Sequence, residues 1–272
     1  MSYIQNVQNK IAMEKALRYE ETHPTINRRK FNTKSLQLFL VGDEHIGNAQ
    51  HDREKLMKNL DWAYKNNIYL LHMGDGIETA TKNSVGAGVY EQTEIVDQQM
   101  SEWIAIYEPF VKKGLFLGAH VGNHELRAYK DEGVNLMRHM CREIGAKYLG
   151  IGKASLLRVG NQTYTLYTTH GSSGARLPYT KIKAALDLEK IIDVEIYAIG
   201  HVHQLSHHIR EFYSVDKKNK IIKRSNKHFI LTGSYLDYWN SYAHVSCMEP
   251  SRTGSPLLTL NGEKHQINVS LQ

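Results

Sequence analysis

Five short blocks group residues whose types and spacing could bind a cation. They are GDEHIG with Asp43 and His45, GDG with Asp75, GNHE with Asn123 and His124, THG with His170, and GHVH with His201 and His203. A carboxylate and an imidazole two positions further on can both reach one ion from a single loop, and so can the two histidines of GHVH. With His124 left aside, the set is two Asp, one Asn and four His. This mixed oxygen and nitrogen set, without thiolates, suits Mn, Fe or Zn better than Ca or Mg. Seven ligands are too many for one such ion and suit two ions sharing a bridging carboxylate. Taken singly, GDG is a common turn and a histidine after a strand is an ordinary loop residue. GHVH is stronger, because two histidines beside a glycine at a strand end have little packing purpose. Five blocks in this order, each after an apolar run, point to a metal site.

The elements that must position these residues are short and apolar. LQLFLV, IYLLHM, GLFLGAHV, YTLYTT and VEIYAI each read as a buried strand running into a polar loop. Helices are expected between them. HDREKLMKNLDWAYKNN carries Leu56, Leu60 and Ala63 on one stripe, and EQTEIVDQQMSEWIAIYEPFVKK turns Ile95, Met100, Ile104 and Tyr107 inward. VNLMRHMCREIG and PYTKIKAALDLEKIID also read as helical, and SLLRVGNQTYTLYTTHG as a hairpin. TATKNSVGAGVY reads as an irregular, mobile loop. The tail alternates in the strand manner, with SHHIREFYSV and IIKRSNKHFILTG joined by the basic turn DKKNK. Residues 1–22 read as an amphipathic helix through Ile4, Val7, Ile11 and Ala16 or Leu17, followed by a polar connector, THPTINRRKFN. The expected organisation is an N-terminal helical extension over 1–34 and one layered α/β (α+β) domain over 35–272. Open α/β sheets bind ligands at strand carboxyl ends, where the five blocks lie.

Composition narrows the class. The chain has 272 residues, 41% hydrophobic and 23% charged, enough for a substantial core without cross-links. Cys141 and Cys247 form no CxxC pair, so a reducing cytosol is expected and thiolate zinc is excluded. No run of about 20 apolar residues and no secretory leader is present, so the expectation is a cytoplasmic protein without membrane contact. The net charge of +6 is uneven: residues 1–35 carry +4 and residues 210–228 carry +5, leaving −3 elsewhere. Such asymmetry fits a polyanionic partner, DNA or RNA, on two basic patches, and equally two solvated faces.

The order of blocks, Asp43-Glu44-His45-Ile46-Gly47, Gly74-Asp75, Gly122-Asn123-His124-Glu125, His170-Gly171 and Gly200-His201-Val202-His203, resembles the calcineurin-like metallophosphoesterase superfamily. The resemblance implies a four-layer sandwich of two mixed β-sheets flanked by helices. It also implies two divalent ions, Mn²⁺ first, with Fe, Zn or Ni left open. Asp43, His45, Asp75 and His203 would hold one ion, and Asp75, Asn123, His170 and His201 the other, with Asp75 bridging. His124 would face the scissile phosphate and supply a proton or hydrogen bond to the leaving oxygen, while water activated at the metals attacks in line. Glu125 is expected to orient His124 or a neighbouring ligand.

The metal blocks do not choose a substrate. GDGIETA lacks the arginine of the protein Ser/Thr phosphatases, and GDEHIGN lacks the tyrosine ligand of the purple acid phosphatases, so both classes are disfavoured. Arg127 and Arg176, each just after a metal block, could bind substrate phosphate, or form surface ion pairs. Tyr235, Tyr238, Trp239 and Tyr242 could stack bases or pack in the core. Lys217, Lys218, Lys220 and Lys223 could contact nucleic-acid phosphates or decorate a soluble turn. The leading expectation is a phosphodiesterase on nucleic acid or a nucleotide. A small-molecule phosphomonoesterase and a noncatalytic scaffold are the alternatives, and the oligomeric state is open.

Overall fold

Leu36, Leu38 and Leu40 alternate with Phe39 and Val41 along β2 (Ser35–Val41), and both sets are buried in different cores. A strand covered on both faces must lie between layers, and this one does. The structure is a computed structural model that describes residues 2–23, 25–84 and 88–272, without the side chains of residues 13, 14 and 16–22.

Among the described residues the strands form two mixed six-stranded sheets. In the first, β2, β3 (Tyr69–His72), β4 (Phe116–His120) and β5 (Tyr148–Gly150) run parallel. Antiparallel β11 (Pro256–Asn261) and β12 (Ile267–Leu271) complete it beyond β2. In the second, the order is β1 (Ile26–Phe31), β6 (Gly152–Val159), β7 (Gln162–Thr169), β8 (Ile196–Ile199), β10 (Ile221–Thr232) and β9 (Leu205–Asp216). There β7, β8 and β10 are parallel neighbours, while β6 with β7 and β9 with β10 form hairpins.

Three apolar cores separate four layers. The inter-sheet core joins Leu36, Leu38 and Leu40 to Leu157, Leu166, Ile196 and Ile230. Outside the first sheet, Leu56, Leu60 and Ala63 of α2 (Arg53–Lys65) pack with Trp103, Tyr107 and Phe110 of α4 (Val96–Lys112) and Met137 and Met140 of α6 (Leu136–Glu143). Outside the second, Ala185 of α7 (Pro178–Asp187) and Leu188 after it cover Tyr197, Ile199 and Phe229. The remaining helices are α1 (Tyr3–Thr22), the short α3 (Gly88–Glu91), α5 (Glu125–Glu132) and the short α8 (Tyr242–Val245).

Three local expectations need correction. Residues 26–31, expected in a polar connector, form β1, hydrogen-bonded in parallel to β6; partnership with a distant strand supplies the order that INRRKF does not signal locally. The apolar stripe of α1 covers nothing through Tyr3, Ile4, Val7 and Ile11, which are exposed; Ala16 and Leu17 have side chains outside the described set. Ile95 caps α4 and is exposed, while Gln99 takes an inward place because its amide has polar partners to meet. Residues 85–87 of the expected loop lie outside the described residues. Among the described residues, no helix is long and apolar enough to cross a membrane.

Candidate metal centre

Each of the five blocks starts where a buried strand stops. Asp43 and His45 follow β2, Asp75 follows β3, and Asn123 and His124 follow β4, all from the first sheet. His170 follows β7, and His201 and His203 follow β8, from the second. These strands run parallel within each sheet, so their carboxyl ends open toward one seam between the sheets.

The local backbone is bent to make that meeting possible. Asp43, His45, Asp75, His201 and His203 have φ of 53°, 52°, 51°, 65° and 50°, in the left-handed region that non-glycine residues rarely enter. Such conformations cost roughly 1–3 kcal/mol each and persist where surrounding structure over-determines them. Here the bracing is explicit. The Glu125 carboxylate, fully buried, accepts hydrogen bonds from the backbone N–H groups of Asp75 (3.2 Å), Gly76 (2.7 Å), Ile77 (3.3 Å) and Gly122 (2.8 Å). Glu125 therefore holds the Asp75 loop and not the His124 ring. Gly122 must be glycine, because a Cβ there would collide with the Asp75 carboxylate. Glu44 turns away from the seam into the core, bonded to the Tyr107 hydroxyl and 3.1 Å from His72 Nε2.

The donor atoms converge in two neighbouring groups. Asp43, His45 and His203 form one, with His203 Nε2 3.1 Å from Asp43 Oδ1 and 3.2 Å from His45 Nε2. Asp75, His170 and His201 form the other; His170 Nε2 lies 3.1 Å from Asp75 Oδ2 and 3.0 Å from Asn123 Oδ1. His201 Nδ1 approaches the same Asn123 oxygen at 2.6 Å. Asp75 links the groups, its Oδ2 being also 4.0 Å from His45 Nε2. All seven residues expected as ligands are thus brought together.

The rings are oriented as metal-binding imidazoles require. His170 Nδ1 donates to the Met73 carbonyl at 3.0 Å, and His45 Nδ1 to Glu78 at 3.1 Å, which leaves both Nε2 lone pairs turned into the cluster. Buried carboxylates and imidazoles in this arrangement could hold divalent cations, and the donor set fits borderline metals.

Electrostatics follow from crowding. Burial raises the Asp75 pKa, yet the imidazoles of His170, His124 and His45 outweigh it and hold the carboxyl well below its ordinary value. Asp43 is lowered in the same way by His203 and His170 against burial. Burial pushes His170 down, but Asp75, Asp43 and Glu125 together lift it to about 10. His45 and His201 are lowered, chiefly by burial and then by a neighbouring histidine.

Glu78 is a functional residue that motif reading missed. It lies three positions after Asp75 and ties four side chains together. Its Oε2 accepts from His45 and Asn48, the latter at 3.1 Å. Its backbone carbonyl accepts from His124 Nδ1 at 2.8 Å and Arg127 Nη1 at 3.0 Å. Burial raises Glu78, but the His124 and His45 contacts pull it far below a normal carboxylate. The only available signal was a carboxylate next to the GDG block.

His124 sits over the cluster, its ring edge-on to His45 at 4.3 Å and its backbone N–H donating to Asp75 Oδ1 at 2.8 Å. Burial lowers its pKa, but Asp75 and Glu78 raise it more. Arg127 Nη2 donates to His124 Nε2 at 2.9 Å. Arg127 Nη1 also pairs with the Glu78 carboxylate at 3.3 Å, so its ion pair is a half-buried one inside the site and not a surface one. Arg176 is exposed, at the rim of a cavity of about 380 Å³ that reaches Asp75, His124, His201 and His203. Tyr238 and Tyr242 line that cavity, whereas Tyr235 is buried and accepts a hydrogen bond from Asn59, so it stacks no base. Lys223 is paired with Asp216 at 2.5 Å.

No protein-family model and no curated protein sequence matches the chain. Solved structures do resemble it. One is a conserved uncharacterized protein, a predicted phosphoesterase, from Streptococcus pneumoniae: 10% identical, TM-score 0.35, covering 88% of this chain and 98% of its own. Another is GAP50, the anchor in the inner membrane complex of Plasmodium: 11% identical, TM-score 0.41, covering 88% of this chain and 84% of its own.

Proposed function

We propose that the chain is a metal-dependent phosphoesterase, acting on phosphodiesters of nucleic acid or a nucleotide. The observation that carries the reading is the convergence of seven oxygen and nitrogen donors in two groups joined by Asp75, with His124 and Arg127 directly above them. Asp43, His45, Asp75 and His203 hold one divalent ion, and Asp75, Asn123, His170 and His201 the second. Bound there, the ions would supply charge neutralisation at phosphoryl oxygens and a hydroxide nucleophile near neutral pH.

The protein side chains do the rest. Glu78 fixes the tautomers of His45 and His124 by accepting from both Nδ1 atoms. Arg127, which can only donate, occupies the Nε2 lone pair of His124; when a substrate phosphate draws the guanidinium away, Nε2 can take up a proton from solvent, as the Asp75 and Glu78 carboxylates favour, and then donate it to the leaving oxygen. No enzyme nucleophile is needed. A small-molecule phosphomonoesterase is the second reading, favoured by the bounded cavity, whose size fits a nucleotide-sized ligand.

The deciding experiment compares hydrolysis of bis-p-nitrophenyl phosphate and p-nitrophenyl phosphate with Mn²⁺, and with EDTA as control. Metal-dependent turnover of the diester is expected. Faster turnover of the monoester selects the second reading, and no turnover with Mn, Fe, Zn or Ni leaves a noncatalytic scaffold. Binding of single-stranded DNA that weakens steeply with salt would support a nucleic-acid substrate.

A further inference from the structure

Lys181 stands in the first turns of α7, and only 9% of its surface is exposed. It lines the same cavity as His124, Asp75, His201 and His203. Among the described residues its ammonium makes no hydrogen bond and no ion pair. Its stem is packed away while the ammonium keeps contact with the cavity. Burial lowers its pKa, and the Glu249 carboxylate across the cavity offsets part of that without pairing with it. Glu249 and Asp237 are exposed at the rim, where water already solvates them. An anionic group that enters the cavity therefore meets a lysine that no carboxylate already holds. Arg176 adds a second cation on the same wall, in the loop that leads into α7.

We propose that Lys181, with Arg176 at the rim, forms a subsite for a second phosphate group of the substrate, beside the one hydrolysed at the metal centre. The assignment rests on the phosphoesterase reading and deepens it: the substrate class is phosphate esters carrying two phosphates, such as a 5′-phosphorylated nucleic-acid end, before esters carrying one. A cavity-lining ammonium and a guanidinium match the charge of a terminal phosphate, and charge-assisted hydrogen bonds to phosphate are the strong ones. The subsite also gives direction, because a chain end bearing the extra phosphate would enter one way round.

The test uses the dinucleotide of thymidine with and without a 5′-phosphate, and bis-p-nitrophenyl phosphate as a substrate with no second phosphate. The wild type should prefer the 5′-phosphorylated dinucleotide by about 10- to 100-fold in kcat/KM, mostly through KM. Lys181→Met, which keeps the aliphatic stem, should lose that preference and leave bis-p-nitrophenyl phosphate turnover unchanged. Lys181→Arg should restore most of it. No preference in the wild type, or a preference that survives in Lys181→Met, overturns the subsite while leaving the phosphoesterase reading standing. If no phosphate ester is hydrolysed, calorimetric titration of pyrophosphate into the protein in EDTA decides the subsite alone. About tenfold weaker binding by Lys181→Met supports it, and equal binding refutes it.

Discussion

Two groups of histidines show how differently one side chain can be used in one fold. At the seam, His45, His170, His201 and His203 are faced by Asp43, Asp75 and Glu78, and their ring nitrogens point at each other across the two sheets. On the β9–β10 hairpin, His207 and His228 stack at 5.2 Å with rings nearly parallel, and His207 Nε2 meets His228 Nδ1 at 3.0 Å. The carboxylates lift His170 to about 10, against its burial. Burial, then His228 and His208, lower His207 to about 4. The hairpin pair is thus a packing device that works uncharged, whereas the seam is built to collect charge of opposite sign. Proximity of histidines is not the signature of a site; the surrounding carboxylates and the strained backbone are. The hairpin's basic residues teach the same lesson, because Lys223, Arg224 and Lys227 already have acidic partners in Asp216, Glu211 and Glu189.

Substitution sharpens the contrast, beginning where the effect is largest. Asp75→Asn should remove metal and turnover together, by about three orders of magnitude or more in activity, since the carboxylate serves both donor groups. Normal metal occupancy by elemental analysis in that variant would contradict the bridging role. His124→Ala should retain both metals and lose about 10²- to 10⁴-fold in kcat. Glu78→Gln keeps its shape but weakens two imidazole contacts, so metal affinity should fall by about 10- to 100-fold in a competition titration against a chelator.

The smallest effect lies on the hairpin. The folded-state value of His207 lies below the unfolded one, so the unfolded chain binds more protons between pH 6.5 and about 4. Its contribution to stability is complete above that window and is lost as pH falls through it. His207→Gln should therefore flatten the decline of the denaturant midpoint between pH 6.5 and 4, with metal binding unchanged. An unaltered slope would show that this pair does not resist protonation.

Much of the site was legible because chemistry and architecture coincide in the chain. Asp43, Asp75, Asn123 and His201 each stand within a few residues of a strongly apolar strand, and His170 ends an alternating one, so both signals fall in one window. Glu78 lacks that advantage: its importance comes from four partners at positions 45, 48, 124 and 127, and no local pattern encodes them. Lys181 reads as an ordinary helical lysine, and only its place in the cavity wall reveals its burial. The strand at 26–31 was hidden because INRRKF exposes most of its side chains and owes its order to β6, more than a hundred residues away. Helical spacing in α1 was read correctly, but spacing cannot say whether a partner surface exists.

The seam itself has a consequence for how this protein comes into being. Its donors are gathered from positions 43 to 203, so no fragment ending before His170 contains more than Asp43, His45, Asp75 and Asn123. Long loops must close before the remaining histidines arrive, and that makes the centre a late product of folding. A nascent chain on the ribosome would hold half a binding site until β8 emerges. Tight capture of a divalent ion would then act as a completion signal, reporting that both sheets have joined.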